Sequence, residues 1–119
     1  VAPKVVIGEG TVIMAGVIIA TGAVVGRGCV VNTGASIDHD CMIGDFVNLS
    51  PAATLGGGCN VGDASFVGLG ANIIHNITIE TQTVVGAGSL VTSDLGANIV
   101  AYGVPAHMVR TRKSSDPYF

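Results

Sequence analysis

The chain has 119 residues, of which 49% are apolar, 11% charged and only 4% aromatic, with eighteen glycines and four prolines. That length suffices for one domain with its own core. A net charge of −3 does not supply the basic face of a general nucleic-acid binder, and no apolar run approaches the roughly 18 to 20 residues of a membrane-spanning helix. A core short of aromatics points instead to regular stacking of small aliphatic side chains. No secretory signal is legible in these residues, and reduced cysteines fit a cytoplasmic protein.

Taken in chain order, the elements follow a six-residue ruler. From Ile7 onward every sixth residue is Ile, Val or Leu: Ile7, Ile13, Ile19, Val25, Val31, Ile37, Ile43, Leu49, Leu55, Val61, Val67, Ile73, Ile79, Val85 and Val91. Two positions before each lies a mostly small residue, as in Ala23, Cys29, Ala35 and Cys41. Each hexad therefore predicts a short strand with the small and the branched residue inward and one outward residue between them. The remaining three residues turn a corner. Seven glycines fall one position after the aliphatic and eight fall three after it, where a corner needs positive φ or close backbone approach.

Three such sides close one triangular coil of eighteen residues, and fifteen hexads make about five coils stacked by parallel pairing about 4.8 Å apart. This pattern resembles the left-handed parallel β-helix of the hexapeptide-repeat proteins. The handedness is implied by the resemblance, because the periodicity is silent on it. The expected architecture is thus all-β: a left-handed parallel β-helix over residues 1–96 and a short C-terminal tail over 97–119. Cys29, Cys41 and Cys59 all occupy the small inward column, which reads as core filling and not as disulfides or a nucleophile. The outward residues Val6, Val12, Ile18, Val24 and Val30 are all aliphatic, which marks a buried interface: a homotrimer or a neighbouring domain.

Candidate functional residues stand where the ruler is broken. His39, Gly57 and His75 are spaced by eighteen and share one vertical stack, and Gly57 is one of three glycines outside the two favoured columns. A missing side chain beside a histidine leaves room for a ligand and exposes a backbone N–H able to stabilise an oxyanion. On the residues alone, His39 reads either as a corner histidine held by Asp38 or Asp40, or as a general base. Pro51, Leu69 and Ala87 form a neighbouring apolar edge.

The run NTGASIDHDCMIGDFVNLSPAATLGGG, residues 32–58, together with the closing YGVPAHMVR, resembles the sialic-acid O-acetyltransferase and nucleotide-sugar N-acetyltransferase family of hexapeptide enzymes. The likeness covers nearly the whole chain. It implies acetyl transfer from acetyl-CoA to a sugar, as N-acetylation of a nucleotide-linked amino sugar or O-acetylation of sialic acid. His39 is implied as the base and Asp40 as the carboxylate that raises its basicity. A histidine suits the role because its ordinary pKa lies close to working pH. The same resemblance places Asn48, Gly57, Leu69 and Ala87 against CoA and Asn32 near the acceptor sugar, and implies a homotrimer with sites between subunits and no metal. Arg110, Arg112 and Lys113 follow the GVPA segment. They read either as CoA-phosphate contacts, with Arg110 foremost, or as a solvated, frayed end.

Two departures from the family pattern are visible. Its members carry a histidine in FVHISP where this chain has Asn48, and asparagine can donate a hydrogen bond but cannot carry charge. The family's N-terminal nucleotide-binding domain is also absent from these residues.

Two other classes fit the same helix less well. A metal-dependent hydratase like the gamma-type carbonic anhydrases needs three convergent histidines, and His107 lies outside the repeats. A non-catalytic structural or ice-binding helix needs a flat threonine column, and the threonines here scatter. His75 reads as a surface or groove residue, His107 as exposed, and Phe46 and Phe66 as groove walls or packing.

Overall fold

The computed structural model describes residues 1–113 and 115–116 and is all-β. Its first coils carry β1 (Val6–Ile7), β2 (Val12–Ile13), β3 (Ile18–Ile19), β4 (Val24–Val25), β5 (Val30–Val31), β6 (Ser36–Ile37), β7 (Met42–Ile43) and β8 (Asn48–Leu49). The later coils carry β9 (Thr54–Leu55), β10 (Asn60–Val61), β11 (Phe66–Val67), β12 (Asn72–Ile73), β13 (Thr78–Ile79), β14 (Val84–Val85) and β15 (Leu90–Val91). A hairpin follows, β16 (Ile99–Gly103) and β17 (Ala106–Thr111).

The strands stack in parallel as three faces of a triangular prism, a left-handed β-helix of about five coils. The first face holds β1, β4, β7, β10 and β13; the second holds β2, β5, β8, β11, β14, β16 and β17; the third holds β3, β6, β9, β12 and β15. Register is eighteen residues from β1 to β15, as in Ser36↔Thr54 and Ile37↔Leu55. Inward aliphatics such as Ile37, Leu49 and Leu55 are fully buried, as are the small residues Ala23, Ala35 and Ala53.

The glycine column has a backbone cause. All fifteen positions three before a ruled aliphatic, from Lys4 to Gly88, have φ between 53° and 79°. Eight are glycine, which adopts that conformation freely; the others, among them Asp40, Phe46 and Ala52, bear a left-handed penalty of about 1 kcal/mol or more.

The three cysteines are free and buried. They do more than fill space, since each thiol donates to a carbonyl fifteen residues on: Cys29 to Gly44 at 3.1 Å, Cys41 to Gly56 at 3.2 Å and Cys59 to Ile74 at 3.0 Å. Ser65 does the same to Glu80 at 2.9 Å, so these inward sites suit any small donor. Burial raises the Cys29 thiol above its ordinary pKa. The adjoining Cys59 thiol, and then burial, raise that of Cys41.

The two ends of the prism differ. At the C-terminal end the ruler stops at Val91, yet the coil continues: Leu95 bridges Ile79 and β16 pairs with β14, both sixteen residues on. The segment expected as a tail is thus an antiparallel hairpin extending the second face. Arg112, read from sequence as part of a basic end, is buried: its guanidinium donates to the Gln82 and Asp116 carbonyls at 3.0 and 2.8 Å. At the opposite end the first coil is open, with Val6, Val12 and Ile18 exposed and Ile7 only partly covered. Among the described residues no helix is long and apolar enough to cross a membrane.

Candidate active site

The corner between β6 and β7 puts Asp38, His39 and Asp40 on the edge joining the third and first faces. Aspartate at a corner caps the backbone locally, and Asp38 Oδ1 accepts the His39 N–H at 2.7 Å. His39 Nδ1 lies 3.2 Å from Asp40 Oδ2, with both side chains largely exposed, 60% and 72%. With Asp40 accepting from Nδ1–H, the lone pair resides on Nε2, the tautomer a proton acceptor needs.

Nε2 points up the edge toward Gly57. The corner ladder holds the neighbouring residue beside His39, the Gly58 N–H donating to His39 O at 2.9 Å. A Cβ on Gly57 would stand 2.5 Å from Nε2, so the room left by this glycine is occupied by the histidine ring itself. Gly57 is buried as a result. Its N–H has no hydrogen-bond partner among the described residues. The expected vacancy beside His39 is therefore filled by the histidine's own ring, which packs against the bare backbone. Below the corner, the Asp40 carboxylate lies over Gly22: a Cβ there would overlap Oδ1 and stand 3.1 Å from Cγ. The eighteen-residue spacing carried the signal for this contact, and reading the stack upward only from His39 missed it.

The remaining predicted residues lie elsewhere. Asn48 is outward on β8, on the second face, and Asn32 lies where β5 leaves that face; the Asn32 amide donates to Asn48 Oδ1 at 3.5 Å. Leu69 and Ala87 are exposed on the edge joining the second and third faces. Arg110 is on β17, with Nη1 3.7 Å from Asp116 Oδ2. One chain thus gathers His39, Asp40 and Gly57 on one edge and Asn32, Asn48, Leu69 and Ala87 at another, with the third face between.

His75 is exposed two coils above His39, while His107 is on β17 of the second face. Among the described residues no three His, Cys, Asp or Glu side chains gather as a metal site. A groove of about 570 Å³ crosses the first face along Met42, Gly44, Asn60, Gly62, Thr78 and Glu80, and none of the predicted site residues lines it.

Residues 4–39 match the bacterial transferase hexapeptide (six repeats) family. A stretch of 43 residues is 42% identical to galactoside O-acetyltransferase from Escherichia coli K12, covering 36% of this chain and 21% of that protein. Among solved structures, PerB from Caulobacter crescentus in complex with CoA and GDP-perosamine is 44% identical with a TM-score of 0.90, over 92% of this chain and 53% of that one. The acetyltransferase domain of PglB from Neisseria gonorrhoeae FA1090 is 35% identical with a TM-score of 0.90, over 91% and 53%. The chain therefore spans about half the length of these solved relatives. Residues 4–39 thus match the hexapeptide repeat of bacterial transferases, and over about nine-tenths of its length the chain is similar in fold and sequence to these solved acetyltransferase structures.

Proposed function

We propose that the chain transfers an acetyl group from acetyl-CoA to an amino or hydroxyl group of a sugar, most fittingly a nucleotide-linked amino sugar, with His39 as general base. The observation that carries this reading is the His39–Asp40 pair, whose Nε2 stands free at an exposed edge against a buried glycine. Support comes from the relatives: PerB is described with CoA and GDP-perosamine, and the PglB domain also in complex with acetyl coenzyme A.

In the proposed reaction Nε2 takes a proton from the acceptor as its nitrogen or oxygen bonds to the acetyl carbonyl carbon. The tetrahedral oxyanion is held by the Gly57 N–H. The C–S bond then breaks, and the CoA thiolate leaves with the proton returned by the imidazolium. Since the resting ring covers Gly57, it swings off this glycine as acetyl-CoA enters.

Asn48, Leu69, Ala87 and Arg110 would contact CoA and Asn32 the sugar, but they lie one face away from His39. A second copy resolves this separation. Three copies closed about an axis with their third faces inward set the His39 edge of each beside the Leu69 edge of the next. The outward residues at the middle of that face, Ser36, Thr54 and Asn72, are short and polar and allow close approach. In this arrangement residues 1–96 are the transfer unit, and the hairpin of β16 and β17 caps it. The nucleotide part of the acceptor is bound by a separate unit seated on the apolar first coil.

The test is thiol release from acetyl-CoA in the presence of nucleotide-linked amino sugars, sialic acid and galactosides. The first class supports amine transfer and the others hydroxyl transfer. His39→Ala should lower turnover about 100- to 10,000-fold; parent-like turnover in that variant refutes the base assignment.

A further inference from the structure

We infer that Gly22 is a positioning residue for the His39–Asp40 pair; this rests on the reading of His39 as the base. Asp40 is fixed one coil above Gly22, since its N–H donates to Thr21 O at 3.1 Å and its φ is 58°. With the backbone so held, only the side-chain torsions decide where the carboxylate goes. It folds back onto Gly22, entering the volume that a Cβ at residue 22 would fill. From that seat Oδ2 reaches His39 Nδ1 at 3.2 Å.

The seat follows a rule of this helix. Where a larger residue stands in the left-handed column above a glycine, its side chain takes the place of the missing Cβ. Phe46 does so over Gly28, and Asn76 over Gly58. Gly34 provides the contrast: it has the same backbone, φ 71° against 79° for Gly22, but lies beneath Ala52, and a Cβ added there would meet nothing within 4 Å. Glycine in this column meets a backbone requirement everywhere. At residue 22 it meets a second one, the space for a carboxylate that orients a histidine. A methyl group there turns the Asp40 carboxylate outward into water, and the imidazole loses its Nδ1 partner.

Paired variants separate the two requirements. Gly22→Ala and Gly34→Ala incur the same left-handed penalty and should melt at similarly reduced temperatures. Only Gly22→Ala should lower kcat, about tenfold or more and by the same factor as Asp40→Asn, with KM for acetyl-CoA unchanged. The double variant Gly22→Ala/Asp40→Asn should be no slower than either single one. A second reading needs no turnover: the ring ¹⁵N shifts of His39 should report Nδ1–H in the parent and a mixture of tautomers in Gly22→Ala. If Gly22→Ala does not fold, Gly22→Asn replaces it, since asparagine tolerates this backbone. Equal kcat in the Gly22 and Gly34 variants, additive losses in the double variant, or an unchanged tautomer each overturns the inference. Parent-like turnover in His39→Ala refutes instead the base reading, while the tautomer measurement still decides the seat.

Discussion

The imidazole of His39 rests on Gly57 of the next coil, where an added Cβ would come within 2.5 Å of Nε2 and 2.6 Å of Cε1. Gly57 lies outside the left-handed column, so a methyl group there adds no backbone strain. Its only conflict is with the tip of an exposed side chain that can rotate away. Gly57→Ala should therefore fold normally, with stability changed by less than about 1 kcal/mol. The methyl group crowds the space beside the Gly57 N–H that would receive the oxyanion, and should cost about ten- to a hundredfold in kcat. Thermal melting and steady-state kinetics on one preparation check both halves.

The proposed division of the site between two edges predicts complementation. His39→Ala removes one half of each site and Leu69→Arg blocks the other, so each variant alone should be inactive. Unfolded together and refolded, they should recover part of the activity, because some neighbouring pairs then combine an intact His39 edge with an intact Leu69 edge. Light scattering should give a mass of three copies. Recovery without association would refute a shared site.

Burial raises the Cys29 thiol, and this makes stability pH-dependent. The folded thiol keeps its proton where the unfolded chain has lost it. Its contribution is complete below the unfolded value, near 9, and is lost as pH rises above it. The slope approaches about 1.4 kcal/mol per pH unit for one such thiol. Urea midpoints between pH 8 and 10.5 should fall for the parent and fall less steeply for Cys29→Ala.

Ala52 and Ala53 are adjacent alanines with opposite backbone needs. Ala52 has φ 61°, while Ala53 is fully buried and lies outside the left-handed column. Ala52→Gly should stabilise by about 0.5–1 kcal/mol, and Ala53→Gly should destabilise by at least as much. Denaturant titration of the pair gives both signs.

Arg112 fastens the hairpin to the prism through the Gln82 carbonyl. Arg112→Ala should cost about 1–3 kcal/mol. Amide exchange should quicken over residues 99–111, while protection around Ile37 and Leu55 stays unchanged. Uniformly faster exchange would mean that the hairpin and the prism unfold as one unit.

Much of this was legible in the amino-acid order. The ruler from Ile7 to Val91 gave the strands, the inward columns, the eighteen-residue register and the adjacency of His39 and Gly57. The short last coil was not legible, because Leu95 and Ala101 restore the pairing after two residues are skipped and no repeat announces the skip. Nor was the burial of Arg112, since a cation buried against backbone carbonyls looks in sequence like one facing water. The cysteines were read as inert filling, and their bonds to carbonyls fifteen residues on became visible only once the corners had coordinates.

The sequence by itself determined the helix, because each hexad repeats the same demand: one small residue, one branched aliphatic and one left-handed corner. Such a demand is local, so fifteen repetitions fix three sides to a coil and an eighteen-residue register, though not the hand of the helix. The tertiary structure decided which side chains fill the gaps between coils: His39 over Gly57, Asp40 over Gly22, and Asn48 and Leu69 a face away from both. Those choices depend on side-chain torsions and on contacts between coils, and neither follows the period of the repeat.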